Sequence, residues 1–226
     1  MKVKSNTGVI VAILLIIAWG LCLYSLLMWD FSWTNPLTYL MILVQMHLYT
    51  GLFITAHDAM HGTVSSSKKL NFTIGQVCTA LYAAFSFNKL YEKHHQHHRH
   101  VHSEQDPDYH EGNFFAWYFK FMKEDLSIWQ IIILAVVFNV LKFWVSETNL
   151  LLFWVLPSLL STVQLFYFGT WLPHHGSHLN RHQSRSQKKN HIVAFFSCYF
   201  FGYHYEHHDS PGIPWWRLWS EKKLNH

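Results

Sequence analysis

Residues 8–29 read GVIVAILLIIAWGLCLYSLLMW, an apolar run without a single charge. At 1.5 Å per residue a helix of this length reaches about 30 Å, the thickness of a bilayer's hydrocarbon core. Lys2 and Lys4 precede the run, as they would a secretory signal, but it is too long for a signal's apolar region and has no small-residue cleavage site. A retained helix is expected, in a chain solvated by lipid. Composition agrees, with 50% hydrophobic, 18% aromatic and only 13% charged residues.

Working outward, three further stretches are long and apolar enough to span: 37–56, 126–145 and 150–172. Gln45 and His47 in the second, and Pro157 and Gln164 in the last, are tolerated where a helix faces other helices. The shorter apolar stretches 72–87 and 192–203 read as helices lying in the interface or dipping partly into the membrane. The expected fold is therefore an all-α integral membrane protein, with four transmembrane helices and interfacial helices. Neither a repeat nor a linker divides 1–226, so one domain is expected.

Four crossings put the N-terminus, 57–125 and 173–226 on one side. Every Lys and Arg except Lys142 falls there, which makes that side cytoplasmic, in a bacterial inner or thylakoid-type membrane. The net charge of +4 is accounted for by this flanking, without the basic stripe that nucleic acid binding requires. Cys22, Cys78 and Cys198 sit in apolar stretches without paired spacing and read as packing residues.

The same side collects the histidines. His57 and His61 are four apart, a spacing that puts both on one helical face. In HHQHH, residues 94–98, and HYEHH, residues 204–208, histidines recur at relative positions 1, 4 and 5. His95, His98 and His102 offer a competing frame in the first, but the second has no competitor and selects His94, His97 and His98 to match His204, His207 and His208. His174 closes the last span. Nine imidazoles are too many for one four-coordinate zinc and suit two metals of higher coordination, with two irons favoured. A loose histidine-rich metal sink would need no helical register. Asp58, Asp106, Asp108 and Glu206 lie near the clusters and can orient ligating imidazoles from behind, or be ordinary surface acids. Among the remaining histidines His95, His100, His102, His175 and His178 stay undecided. His47, His182, His191 and His226 read as solvated or hydrogen-bonded residues.

FITAHDAMHG (53–62), SEQDPDYH (103–110), NFFAWY (113–118), QLFYFGTWLPH (164–174), FGYHYEHH (201–208) and PWW (214–216) together resemble the membrane desaturase and hydroxylase superfamily, and within it the beta-carotene ketolases. The resemblance runs almost the whole length. It implies a non-haem di-iron centre on His57, His61, His94, His97, His98, His174, His204, His207 and His208. His110 matches the family's Asp-Pro-Asp-aromatic-His motif and is implied to be important. Arg99 stands where a third consecutive histidine is expected, so that position is not a required ligand. The implied activity is O2-dependent oxidation of the C4 methylene of carotenoid β-rings to a ketone, from beta-carotene to echinenone and canthaxanthin, and extending to zeaxanthin. The carotenoid would enter from membrane lipid into an apolar tunnel. No nicotinamide, flavin or iron–sulfur motif is present, so an external reductant through a ferredoxin-like electron donor is implied. The alternatives are carotenoid 3-hydroxylation or acyl-lipid desaturation on the same scaffold, or a non-enzymatic membrane metal-binding protein.

Overall fold

Where Asn35 accepts a hydrogen bond from the Leu37 amide and Pro36 opens the first turn, the chain starts helix α2 (Pro36–Met60), which pairs with α1 (Thr7–Leu27). The computed structural model describes residues 6–222, and all regular structure among them is helical. Lys2, Lys4 and His226 lie outside the described residues. A Cβ on Gly8 would sit 2.3 Å from the Val64 carbonyl oxygen, so the missing side chain lets the start of α1 close on the chain just beyond α2. α2 runs past the expected limit at 56, because no breaker interrupts it until His61 caps it and Gly62 turns at φ 70°.

Helix α3 (Lys68–Ala83) packs along α2 and ends at Ala84, whose left-handed φ of 55° lets the Ala84 and Phe85 amides bond back to Ala80 and Thr79. The chain then bends by 100° into α4 (Phe87–His100). At 16 residues α3 reaches roughly 24 Å. The bend returns the chain toward the end of α2, so α3 does not separate the histidines of α2 and α4.

Within the expected span 126–145 the helix covers 14 residues. Helix α5 (Phe114–Asp125) meets α6 (Ile128–Leu141) at an angle of 83°, and a reciprocal Ser127/Gln130 capping box starts α6 as a new helix. The last expected span is the longest, α7 (Glu147–His174), an α-helix with π-helical stretches at Leu150–Val155 and Tyr167–Trp171. Among the described residues three helices, α1, α2 and α7, are long and apolar enough to cross singly, and up to five spans result if each bent pair counts as one. Short helices α8 (His191–Cys198), α9 (His204–Asp209) and α10 (Trp215–Leu218) complete the fold.

The main core gathers Trp19, Tyr49, Leu52, Ile54, Tyr82 and Leu165 from α1, α2, α3 and α7, with Cys78 and Cys198 buried as free thiols. Outside it the apolar side chains face outward: Leu14 is 62% exposed, Leu21 63% and Trp129 70%. A surface of this kind suits lipid.

Candidate metal centre

Four helix ends converge. The last turn of α2 presents His57, with His61 at its cap; α4 presents His94, His97 and His98; α7 ends on His174; α9 presents His204, His207 and His208. Tyr199 and Phe200, with φ of 48° and 63°, turn the chain sharply between α8 and α9, and this aims the last triad back at the others.

The nine imidazoles fall into two groups. His57, His61, His94, His98 and His207 bring one nitrogen each to within 4.8 Å of one another, and His97, His174, His204 and His208 do the same. Each spacing of four keeps to one group: His57 with His61, His94 with His98, and His204 with His208. The fourth position of each triad crosses over, so His97 leaves its neighbours for the second group and His207 leaves its own for the first. The spacing alone reads each triad as one set; the structure shows two helices that each serve both groups.

The donor set fits bound metal. His97 Nδ1 donates to Asp106 at 2.9 Å and His174 Nδ1 donates to the Gln183 carbonyl at 3.1 Å, which leaves both Nε2 atoms as bare lone pairs. The Nε2 atoms of His174 and His208 each lie 2.9 Å from His204 Nε2, and His97 Nε2 is 3.3 Å from His208 Nε2. Two nitrogens bound at right angles to a common ion, with bonds of about 2.1 Å, sit about 3 Å apart. In the first group His98 and His207 approach at 3.1 Å and His61 and His94 at 2.6 Å, and neither ring nitrogen of buried His57 has a hydrogen-bond partner. Burial, then repulsion from neighbouring imidazoles, holds His204, His207 and His208 well below the ordinary value of 6.5, so they are neutral and able to ligate at pH 7.

The carboxylates divide. Asp106 backs His97 and also accepts the His102 and Asp108 amides, both at 2.9 Å. Burial works against its charge, but the His97 bond and the two amides prevail and hold the carboxyl below its usual range. Asp108 lies 3.9 Å from His97 Nδ1, too far for a hydrogen bond, and burial pushes it up to about 7 against the opposing pull of His97. Asp58 is 3.7 Å from His57 Nδ1 and instead accepts the Trp215 amide at 2.9 Å, tying α2 to the Pro214 turn. Glu206 touches no imidazole. It turns away to bond Ser186 and Lys222, the latter at 2.9 Å. Gln183 and Lys222 carry no motif that a sequence reader would select, although a buried glutamate needs a cation somewhere.

Outside the two groups, His95 stacks on Tyr91 and His175 on Trp171, His102 bonds the His174 carbonyl, and half-buried His100 stays at the rim. His182 meets Asp209 and His191 meets Tyr203, while His47 stacks on Tyr199 and His178 Nε2 is buried without a partner. His110 belongs to neither group and lines a groove with His102, His175 and His174, the last a member of the second group.

Beside the histidines lies a cavity walled by Phe53, Met60, Leu90, Phe121, Leu165 and Phe201, with Lys93, Asp108 and Asp125 also in its lining, and closed by His57, His94, His97, His98, His204 and His208. Gly169 belongs to its wall, where a Cβ would meet the Phe201 ring at 2.7 Å. An apolar extension sharing Phe53, Leu90, Phe121 and Leu165 continues to Tyr82, Phe85 and Leu126, at the bends between α3 and α4 and between α5 and α6.

Comparison with known proteins agrees with this geometry. The fatty acid desaturase family model matches residues 31–128 and 114–222. The beta-carotene ketolase of Paracoccus sp. (strain N81106 / MBIC 01143) is 41% identical over 181 residues, covering 77% of this chain and 75% of that protein. The beta-carotene ketolase of Paracoccus sp. (strain PC1) is 38% identical over 226 residues, covering 96% and 92%. The zeaxanthin 4-ketolase of Chlamydomonas reinhardtii is 40% identical over 181 residues, covering 76% of this chain and 41% of that longer protein. No solved structure matches. Helix ends that pool nine imidazoles beside an apolar cavity, and relatives of this likeness over most of the length, mark the chain as a member of the fatty acid desaturase family and a homologue of its beta-carotene ketolases.

Proposed function

We propose that this chain is an O2-dependent carotenoid 4-ketolase, with the nine histidines holding two irons, five on one and four on the other. The observation that carries the reading is the largely apolar cavity closed by members of both histidine groups, which suits a hydrocarbon ring. Bound iron, with O2 and reductant, supplies the oxidising power that no side chain has.

The residues of the chain do the rest. Asp106 and the Gln183 carbonyl fix the tautomers of His97 and His174. The burial of His204, His207 and His208 keeps them unprotonated. Phe53, Phe121, Leu165 and Phe201 hold the ring and exclude water. The polyene enters from the bilayer through the extension toward the two bends. Each round consumes one O2, two electrons and two protons, inserts one oxygen and releases the other as water. A second round at the same carbon gives a geminal diol that loses water to the ketone. The electrons come from a ferredoxin-like donor.

The reading includes four crossings, by α1, α2, α6 and α7, with the histidines on the cytoplasmic side. α6 starts beside α3, through Gln130 to the Ala83 carbonyl, and ends at the Lys142–Glu147 ion pair. Next to that pair Asn149 donates to the Leu27 carbonyl at the end of α1 and the Trp29 carbonyl beyond it, at the opposite end of α1 from Gly8 and Val64. The asymmetry of Lys and Arg supports the sidedness.

Expression in a host that accumulates beta-carotene tests the activity. Echinenone and canthaxanthin are the expected products. Hydroxylated pigment alone, or altered acyl chains with unchanged pigment, would sink the ketolase reading. A purified protein holding about one zinc, no iron and no activity with O2 and reductant would favour a non-enzymatic metal-binding role.

A further inference from the structure

Two grooves approach the histidine groups from outside the apolar cavity, and they differ in charge. One holds His174 of the second group beside Glu111, with no Lys or Arg among its described lining residues. The other is lined by His98 of the first group and His208 of the second, whose rings lie 4.3 Å apart. Arg99 and Arg181, both exposed, line it as well, and among the described residues no carboxylate does. Neither arginine is ion-paired among the described residues. Arg99 Nε donates to the His95 carbonyl at 2.9 Å, and exposed Asp209, beside His208 in the chain, meets His182 at 3.3 Å instead. Arg99 is also the residue that stands where a third consecutive histidine is expected. The structure places it on this groove and in neither histidine group.

We propose that this groove is the docking surface for an acidic one-electron carrier protein. Arg99 and Arg181 are its electrostatic contacts, and His98 and His208 are the imidazoles through which an electron enters either group. The inference rests on the oxygenase reading above, which needs an external donor, and adds the surface and the residues that receive it. Each docking passes one electron from the carrier, which is oxidised, to the centre, so the two electrons of a round take two carriers in turn. A contact made and released twice per round suits a few exposed charges, which speed encounter and select the partner's sign, better than a wide dry interface. The groove at His174 is the weaker candidate: it reaches one group only, and Glu111 with no cation beside it repels an acidic partner.

The test uses the full chain as holoprotein in phosphatidylcholine nanodiscs, with a plant-type [2Fe–2S] ferredoxin as the acidic carrier and cytochrome c as a basic one. The readout is the Kd at low and at physiological ionic strength, with iron per chain and reduction by dithionite, which needs no docking, measured alongside. The wild type is expected to bind ferredoxin, less tightly as salt rises, and not cytochrome c. The double reversal Arg99→Glu with Arg181→Glu weakens ferredoxin binding about tenfold or more and flattens its salt dependence. Arg99→Lys with Arg181→Lys, which keeps both charges, retains most of the affinity. Arg181→Glu, in the loop between α7 and α8, is read alone should the double reversal lose iron. Unchanged affinity in the reversals overturns the proposal, as does an equal loss in the lysine pair, which would assign the arginines a structural role. Lost binding to phosphatidylglycerol vesicles with ferredoxin binding intact assigns the groove to lipid headgroups and also overturns it. A wild type that ketolates in the beta-carotene host while its ferredoxin binding ignores the reversals loses the docking groove and keeps the ketolase reading. A wild type that neither ketolates nor binds ferredoxin removes both.

Discussion

Replacing Asp106 by alanine separates the two histidine groups experimentally. Its carboxylate takes His97 Nδ1 at 2.9 and 3.1 Å and the amides of His102 and Asp108 at 2.9 Å each, while no member of the first group touches it. Loss of a carboxylate behind a ligating histidine weakens metal binding about 10–100-fold, or roughly 1.4–2.7 kcal/mol. That loss falls on one of the four imidazoles of the second group and on none of the five in the first. Metal titrations of detergent-purified Asp106→Ala should therefore resolve one site near wild-type affinity and one weakened by that factor. At limiting iron, occupancy should fall from two toward one per chain. Asp106→Asn, which keeps an acceptor for His97 but not the charge, should lie between. Equal weakening of both sites in a protein that unfolds at the wild-type temperature would refute the independence of the groups. Unchanged titration would refute the role of Asp106.

Gly169→Ala would place a Cβ 2.7 Å from the Phe201 ring, which packs 4.7 Å from His57, so stability should drop by about 1–3 kcal/mol and ketolation with it; full activity at an unchanged unfolding temperature would contradict the tight wall. Lys222→Met breaks an ion pair whose side chains are 2% and 5% exposed and leaves buried Glu206 with only the Ser186 hydroxyl. A loss of about 3–5 kcal/mol is expected in denaturant titrations, partly recovered by adding Glu206→Gln, and a silent Lys222→Met would refute the pairing. In metal-free protein His204, His207 and His208 titrate well below 6.5 when folded and near 6.5 when unfolded. The unfolded chain thus takes up protons first, so stability is constant above about pH 7 and falls below 6.5 by roughly 1.4 kcal/mol per histidine per pH unit. A melting temperature that stays flat from pH 7.5 to 5.5 would show that these imidazoles are not buried neutral.

The membership of the histidine cluster was legible because helical spacing is local: His57 with His61, and each triad, announce themselves at intervals of three and four. Their division was not, because a side chain's partner depends on which helix stands opposite. Only the placement of α4 against α9 sends His97 and His207 across. The same limit explains the carboxylates. Asp58 and Glu206 lie between histidines in sequence, yet a helix points neighbouring residues in different directions, and they bond Trp215 and Lys222 instead. Apolar length identified α1, α2 and α7, where the run itself exceeds a bilayer's thickness. It said less about 126–145, where the helix is 14 residues long and passes as a span only together with α5 across the 83° bend.

The crossed register also acts as a ruler. His97 and His98 are adjacent in the chain and serve different groups, and so are His207 and His208. Consecutive Cα atoms are about 3.8 Å apart whatever the helices do. Metals held by the two groups, as proposed, would be bridged twice by a single peptide unit, so their separation would be limited by the reach of the two side chains on either side of it. Tilting or sliding of α4 or α9 carries both positions together. A substrate ring of changed shape could then be admitted by yielding of the aromatic walls without drawing the two histidine groups apart.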